Sequence, residues 1–149
     1  MALIERKSQK KGEAFSIRLS ASTDLFVEAE AKRRKRSKSA IVEALTEEAA
    51  RMQRFRGIAF RGEDYKRRAY LIGTGLDVSD VIRILRSYGE AASRLVDDYP
   101  NLTARAIRVA EAYEREFREE LEAEIASNEG PPDDELRALY PFAEFVDVR

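Results

Sequence analysis

Residues 14–20 read AFSIRLS, and apolar and polar side chains alternate along this stretch. Such alternation is typical of a β-strand with one buried face, which here would carry Phe15, Ile17 and Leu19. The next segment, about thirty residues long, is predicted to be helical, so the strand has no partner nearby in the chain. Because an unpaired strand leaves backbone N–H and C=O groups without hydrogen bonds, we expect it to pair with the same strand of a second copy. The sequence therefore predicts an obligate homodimer joined by an antiparallel two-stranded ribbon.

The polar face of this ribbon carries Ser16, Arg18 and Ser20. A two-stranded ribbon fits into the major groove of double-stranded DNA, where one guanidinium can bond both O6 and N7 of guanine. Arg18 is therefore the predicted base-reading residue, with Ser16 and Ser20 as additional hydrogen-bonding groups. The alternative for Arg18 is an ordinary exposed arginine of a strand.

Two helices are predicted after the strand, over residues 22–34 and 38–53. Ser20 or Ser22 can cap the first helix, and Ser37 can cap the second. In the first helix, the side chains expected to be buried are Leu25, Phe26 and Ala29, with Val27 beside them. In the second helix, the apolar stripe consists of Ile41, Leu45, Ala49 and Met52.

Positive charge is concentrated near the start of the chain. Residues 1–40 hold 11 Lys or Arg and 5 Asp or Glu, whereas residues 41–149 hold 16 and 23. Such a basic segment favours a polyanionic partner, although charge runs can also form a merely solvated face. Residues 1–13 are expected to form a basic arm, and the start of the second helix an anion site. The predicted phosphate-binding residues are Lys10, Lys11, Arg36, Ser37, Lys38 and Ser39.

Residues 14–53 resemble the ribbon-helix-helix repressors of the MetJ, Arc and CopG type. The likeness lies in a strand with a central arginine, an AKRR approach to a turn, and Ser-x-Ser before hydrophobic residues; it covers about 40 of the 149 residues. It implies base reading by Ser16, Arg18 and Ser20 and phosphate binding by residues 37–39. Lys35 departs from the family, which often has glycine there. A left-handed turn residue with a Cβ costs about 1 kcal/mol, unless the turn is made differently.

Residues 54–75 are predicted to form a β-hairpin, because two short apolar pieces are separated and flanked by glycines. Its basic residues form either a second nucleic-acid contact or solvated strand edges. They are Arg54, Arg56, Arg61, Lys66, Arg67 and Arg68.

Three further helices are predicted over residues 77–87, 90–98 and 103–127. With the hairpin they suggest a winged-helix-like domain over residues 54–127, so the predicted fold class is mainly α. Residues 75–125 resemble a small domain of some bacterial antitoxins, through their Gly-hydrophobic-Asp-Val opening and the Tyr-Pro-x-Leu-Thr before the last helix. The glutamate-rich half of that helix disfavours a role in DNA recognition.

Residues 128–149 are predicted to form a linker, broken by Gly130-Pro131-Pro132, and a tail. The many large apolar side chains of the tail either pack back on the protein or dock on a partner. The resemblance to antitoxins implies that they lie in a groove of a toxin. The implied toxin-binding residues are Leu136, Leu139, Tyr140, Phe142 and Phe145.

The chain has no histidine and no cysteine. It therefore lacks the commonest general base, the commonest metal ligand and thiolate chemistry. We expect no enzymatic activity, no catalytic residue, no metal site and no cofactor. With no signal-peptide pattern and no apolar run near the ~18 residues of a membrane span, we also expect a cytoplasmic protein with no membrane partner.

Two functions fit these expectations. The first is the antitoxin of a type II toxin–antitoxin system, which binds operator DNA as a dimer, represses its own operon and neutralises a toxin. The family resemblance implies a PIN-type ribonuclease as that toxin. The alternative is a stand-alone ribbon-helix-helix repressor whose C-terminal domain oligomerises or senses a ligand.

Overall fold

The structure, a computed structural model, describes residues 11–63 and 67–128. Over these residues the protein is mainly helical, as predicted, with one small antiparallel sheet. The elements in chain order are α1 (Ala21–Arg34), α2 (Lys38–Arg54), β1 (Ile58–Arg61), β2 (Arg68–Leu71), α3 (Val78–Ser87), α4 (Ala92–Asp98), α5 (Ala104–Glu116) and α6 (Arg118–Asn128). No helix in the described part of the chain is both long enough and apolar enough to cross a membrane.

Serine hydroxyls cap both N-terminal helices. Ser20 Oγ accepts a hydrogen bond from the Thr23 N–H at 3.4 Å, and Ser37 Oγ accepts one from the Ala40 N–H at 3.1 Å. Each satisfies one of the N–H groups that have no partner within the first turn of a helix. Of the two caps considered for α1, the structure uses Ser20.

The turn between α1 and α2 depends on Lys35. This residue adopts the left-handed conformation, with φ 52° and ψ 45°. The N–H of Arg36 then reaches back to the Ala31 carbonyl at 3.0 Å, which closes the end of the helix. The chain thus makes a left-handed turn with a residue that carries a Cβ, where glycine would be unstrained.

Replacing Lys35 by glycine should therefore stabilise the fold. We expect Lys35→Gly to raise the free energy of unfolding by about 0.5–1 kcal/mol, as measured by urea denaturation. Lys32→Gly is the matched control. Because Lys32 lies inside α1, this variant should lower the free energy of unfolding by about 1 kcal/mol. Destabilisation by both variants would show that the turn is not strained.

The burial of α1 differs from the prediction. Leu25 is 67% exposed and Phe26 is 52% exposed, so the expectation that both are buried is wrong within one copy of the chain. Val27 is the buried residue of α1, and Ile41 is fully buried on α2, against which α1 packs. The other predicted core residues of the two helices are half-buried or exposed: Ala29, Leu45, Ala49 and Met52.

The main core lies in the C-terminal unit, residues 55–128. The predicted hairpin is confirmed: β1 pairs antiparallel with β2, and Ile58 lies opposite Leu71. One face of the hairpin packs with the four helices that follow. The buried residues of this core are Ile58, Ala69, Leu71, Val78, Val81, Ile82, Leu85, Leu95, Leu102, Ile107, Ala110, Tyr113, Phe117, Leu121 and Ile125.

The single helix predicted over residues 103–127 is wrong, because the chain breaks at Phe117, which has φ −115° and ψ 36°. The Phe117 ring is 4.6 Å from the Tyr113 ring and 6.0 Å from the Phe55 ring, measured between centroids. The Arg51 guanidinium lies 3.8 Å from the same ring centroid. After the break, α6 packs against α3 as well as α5.

α6 buries one carboxyl group at this contact. Glu124 is 9% exposed, and its Oε2 has no hydrogen-bond partner among the described residues; the same holds for Ser79 Oγ on α3. Burial raises the pKa of Glu124 to about 7. The carboxyl group is therefore largely protonated below that pH.

This buried acid should make stability depend on pH. The folded-state pKa lies above the ordinary value of 4.5, so the folded protein holds its proton more tightly. The free energy of unfolding should therefore fall by about 2–3 kcal/mol as pH rises from about 4.5 to about 7, and then level off. Glu124→Gln should abolish most of that fall in urea titrations at a series of pH values. Glu122→Gln, on the exposed side of α6, should leave it in place.

Candidate nucleic-acid interface

Residues 11–20 lie outside any helix or sheet. Between residues 11 and 19, no backbone N–H or C=O is hydrogen-bonded to another described residue. Among the described residues of one copy, the segment predicted to be a strand therefore forms no strand and has an unpaired backbone edge. Such an edge is available for pairing with another strand.

Large apolar side chains are also uncovered in this N-terminal part. Seven are exposed in the described residues, and five of them lie before residue 55. Phe15 is 84% exposed and Ile17 is 53% exposed, although both belong to the face predicted to be buried. The five exposed apolar residues before residue 55 are Phe15, Ile17, Leu25, Phe26 and Met52. Exposed apolar side chains can belong to an interaction site where they form a contiguous patch, which makes these five candidates for a contact with a second copy.

The polar face of the segment is free for contact with a ligand at two of its three predicted residues. Arg18 and Ser16 are exposed, and neither has a side-chain partner among the described residues. Ser20 is engaged as the cap of α1, and its hydroxyl also donates to Thr23 Oγ1 at 2.9 Å.

The predicted phosphate-binding residues have different surroundings. Lys38 Nζ is 2.6 Å from Asp24 Oδ1 and 3.4 Å from Glu28 Oε1, and the bond to Asp24 raises the pKa of Lys38. Lys11 pairs with Glu43 at 3.1 Å. Ser37 is the helix cap, whereas Arg36 and Ser39 are exposed. Lys10 lies outside the described residues.

Helix geometry divides the basic run KRRKR, residues 32–36, into two groups. Arg33 and Arg34 turn towards Glu30, and hydrogen bonding by Arg33 above all lowers the pKa of that carboxyl group to about 2. Lys32, Lys35 and Arg36 instead line an open cleft between the end of α1 and the start of α2. Arg36 is one of the predicted phosphate-binding residues, and Lys32 and Lys35 of the same basic run lie beside it in this cleft.

The basic residues of the hairpin are mostly used within the fold. Arg67 makes a two-point contact with Glu48 at 2.8 Å, and Arg61 lies 2.8 Å from Asp77. Arg54 and Arg68 likewise have acceptors within the chain. Arg56 has none among the described residues, and Lys66 lies outside them. The hairpin is therefore less suited to nucleic acid than its sequence suggested.

Arg51 joins α2 to the C-terminal unit, and sequence reasoning did not single it out. It is 6% exposed, and its Nη1 donates to the Tyr113 hydroxyl at 2.7 Å and to Glu120 at 3.0 Å. Its Nε donates to Glu47 at 2.9 Å. Burial works against the charge, but Tyr113 and Glu120 outweigh it and raise the pKa of Arg51. A basic residue facing aromatic and acidic residues some sixty positions away leaves no local pattern in the sequence.

Comparisons with family models, with curated proteins and with solved structures find no match to this chain. The predicted toxin-binding residues lie outside the described part of the chain.

Loss of the Arg51 charge should destabilise the fold strongly. We expect Arg51→Met to lower the free energy of unfolding by about 3 kcal/mol, because Glu120 and the Tyr113 hydroxyl lose a buried partner. Arg54→Met removes the more exposed pair with Glu116 and should cost no more than about 1 kcal/mol. Equal losses in chemical denaturation would contradict a special role for Arg51.

Proposed function

We propose that this protein is a homodimeric DNA-binding repressor of the ribbon-helix-helix type that acts as the antitoxin of a type II toxin–antitoxin system. The observation that carries the proposal is the segment before α1. It has an unsatisfied backbone, an uncovered apolar face and an arginine without a partner among the described residues. Two helices with a left-handed turn follow it, in the order that the family resemblance requires.

Pairing of two such segments would supply the missing backbone hydrogen bonds and cover the apolar face at the same time. The backbone groups of each copy would find partners in the other, and Phe15, Ile17, Leu25 and Phe26 would be withdrawn from water. Full burial of a side chain of this size contributes about 1.5–3 kcal/mol, so the eight in a dimer offer of order 10 kcal/mol against the cost of association. An apolar interface of this kind supports an obligate dimer.

The opposite face of the ribbon would then present two copies of Arg18 to the major groove. The start of α2 offers its free N–H groups to the DNA backbone, with Lys32, Lys35 and Arg36 beside it. Phosphate contacts of this kind position the protein, and the arginines read sequence. Arg18 and these three residues of the turn have no ion pair with a described residue, so they would be free to contact the proposed duplex.

The antitoxin part of the proposal is supported by the resemblance of residues 75–125 and by the apolar tail. The acidic surface of α6 suits a protein partner better than DNA, because Glu119 and Glu122 would repel a phosphate backbone. The proposed toxin is a PIN-type ribonuclease.

Arg18→Ala tests base reading. We expect this variant to bind the DNA upstream of its own gene about 5- to 150-fold more weakly, which corresponds to about 1–3 kcal/mol, and to keep its affinity for random DNA. Fluorescence anisotropy gives both affinities, and sedimentation should show a dimer for the variant and the natural chain alike. Arg83→Ala, at an exposed arginine of α3, is the matched control. A monomeric natural chain, or unchanged discrimination between the two DNAs, would contradict the proposal.

Removal of residues 131–149 tests the toxin contact. The shortened protein should bind DNA as before, because the ribbon and both N-terminal helices are intact, but it should inhibit the adjacent gene's nuclease less well. An RNA-cleavage assay with increasing antitoxin measures the loss. Full inhibition by the shortened chain would exclude the tail as the anchor, and no inhibition by the full chain would leave a stand-alone repressor.

A further inference from the structure

A second surface feature lies on the C-terminal unit, between the end of β2 and the first turns of α5. It is an open cleft of about 230 Å³. Leu71, Ile72, Ala106 and Val109 supply its apolar lining, and Arg56 and Arg105 border it. This volume suits one or two large side chains rather than a small-molecule cofactor, whose pockets are about 300–1,000 Å³.

Two observations show that this cleft lacks an occupant among the described residues. Ile72 is 61% exposed at the end of a strand whose neighbour Leu71 is fully buried. Arg56 and Arg105 are exposed, and neither has a hydrogen bond or an ion pair with a described residue, unlike Arg54, Arg61 and Arg67 nearby. An apolar floor beside two unneutralised guanidinium groups fits a segment that is both apolar and acidic.

We infer that residues 133–140 of the same chain, DDELRALY, bind in this cleft. The segment opens with three consecutive acids, Asp133, Asp134 and Glu135. Three large apolar side chains follow in the same segment: Leu136, Leu139 and Tyr140. The acids pair with Arg56 and Arg105, while one or two of these apolar side chains cover Ile72 and fill the apolar lining.

The chain is long enough for this contact. Asn128 Oδ1 accepts a hydrogen bond from Arg68 at the start of β2, 2.9 Å away. From there to Ile72 the strand advances by about 13 Å, at roughly 3.3 Å per residue. The seven residue steps from Asn128 to Glu135 span up to about 23 Å when extended. The acidic triplet can thus reach the cleft directly after the linker.

This inference goes beyond the proposed function, because it describes the free protein without DNA or toxin. It predicts that the tail is held by its own chain until a partner competes for it. A toxin would then bind more tightly to a protein whose cleft had lost its two arginines.

The absence of cysteine from the chain allows a clean test. A nitroxide label on Ala138→Cys of the full-length protein should broaden the backbone amide NMR signals of residues 56–57, 71–74 and 103–109. The double variant Arg56→Glu with Arg105→Glu should remove that broadening. Adding Asp133→Lys and Asp134→Lys to this double variant should restore the broadening. Arg83→Glu with Arg94→Glu is the matched control and should change nothing.

A mixed sample separates contacts within a chain from contacts between copies. Spin-labelled chains without ¹⁵N are mixed with ¹⁵N-labelled chains that carry no spin label. Cleft signals that stay sharp in this mixture support the inference, whereas broadening there would overturn it in favour of binding between copies. Sharp cleft signals in chains that carry both the spin label and ¹⁵N would overturn the inference too. None of these outcomes depends on whether the protein binds DNA or a toxin.

Discussion

The buried guanidinium of Arg51 is the contact on which the arrangement of the two halves of this protein depends. It belongs to α2, but its partners Tyr113 and Glu120 and the Phe117 ring belong to the C-terminal unit. A charge removed from water is tolerated only when it is paired and hydrogen-bonded. These partners surround Arg51 only if α5 and α6 meet α2 in the observed way. The break at Phe117 supplies the ring that covers the charge.

The N-terminal part of the chain differs from the contact around Arg51, where the buried charge is paired and hydrogen-bonded. In the N-terminal part, the backbone of residues 11–19 has no partners within the described chain, and apolar side chains face water. The hairpin arginines are mostly neutralised by nearby acids, whereas Arg18, Lys32, Lys35 and Arg36 have no ion pair with a described residue. Acidic groups of α1 pair with Arg33, Arg34 and Lys38, so the positive charge left in this region lies on Arg18 and the turn between the first two helices.

Much of this fold follows from local patterns in the sequence. Serine caps locate the starts of α1 and α2, apolar spacing locates α3, and glycines bracket the hairpin. Patterns did not give the exposure of Leu25 and Phe26, because an apolar residue is equally compatible with a core and with a surface that awaits a second copy. They also missed the break at Phe117, since the apolar spacing continues through it.

The residues of the candidate site were predicted from local patterns. Alternation along residues 14–20 predicts which side chains share a face, and that prediction concerns a strand that would form only with a second copy. The pairing of Lys38 with Asp24 and Glu28 brings together residues at least ten positions apart across a turn, so composition alone could not distinguish it from a free cation. Arg51 depends on residues still further along the chain.

The length of α2 would limit how closely two dimers could lie side by side on DNA. The helix has 17 residues and is therefore about 25 Å long. Its first turn belongs to the proposed phosphate contact, while Arg51 in its last turn is fixed in the C-terminal unit. Each half of a bound dimer would carry a bulky body at a rigid offset from the duplex. If the proposed DNA binding holds, neighbouring dimers could approach only until these bodies collide, and the length of α2 would set the shortest distance between them.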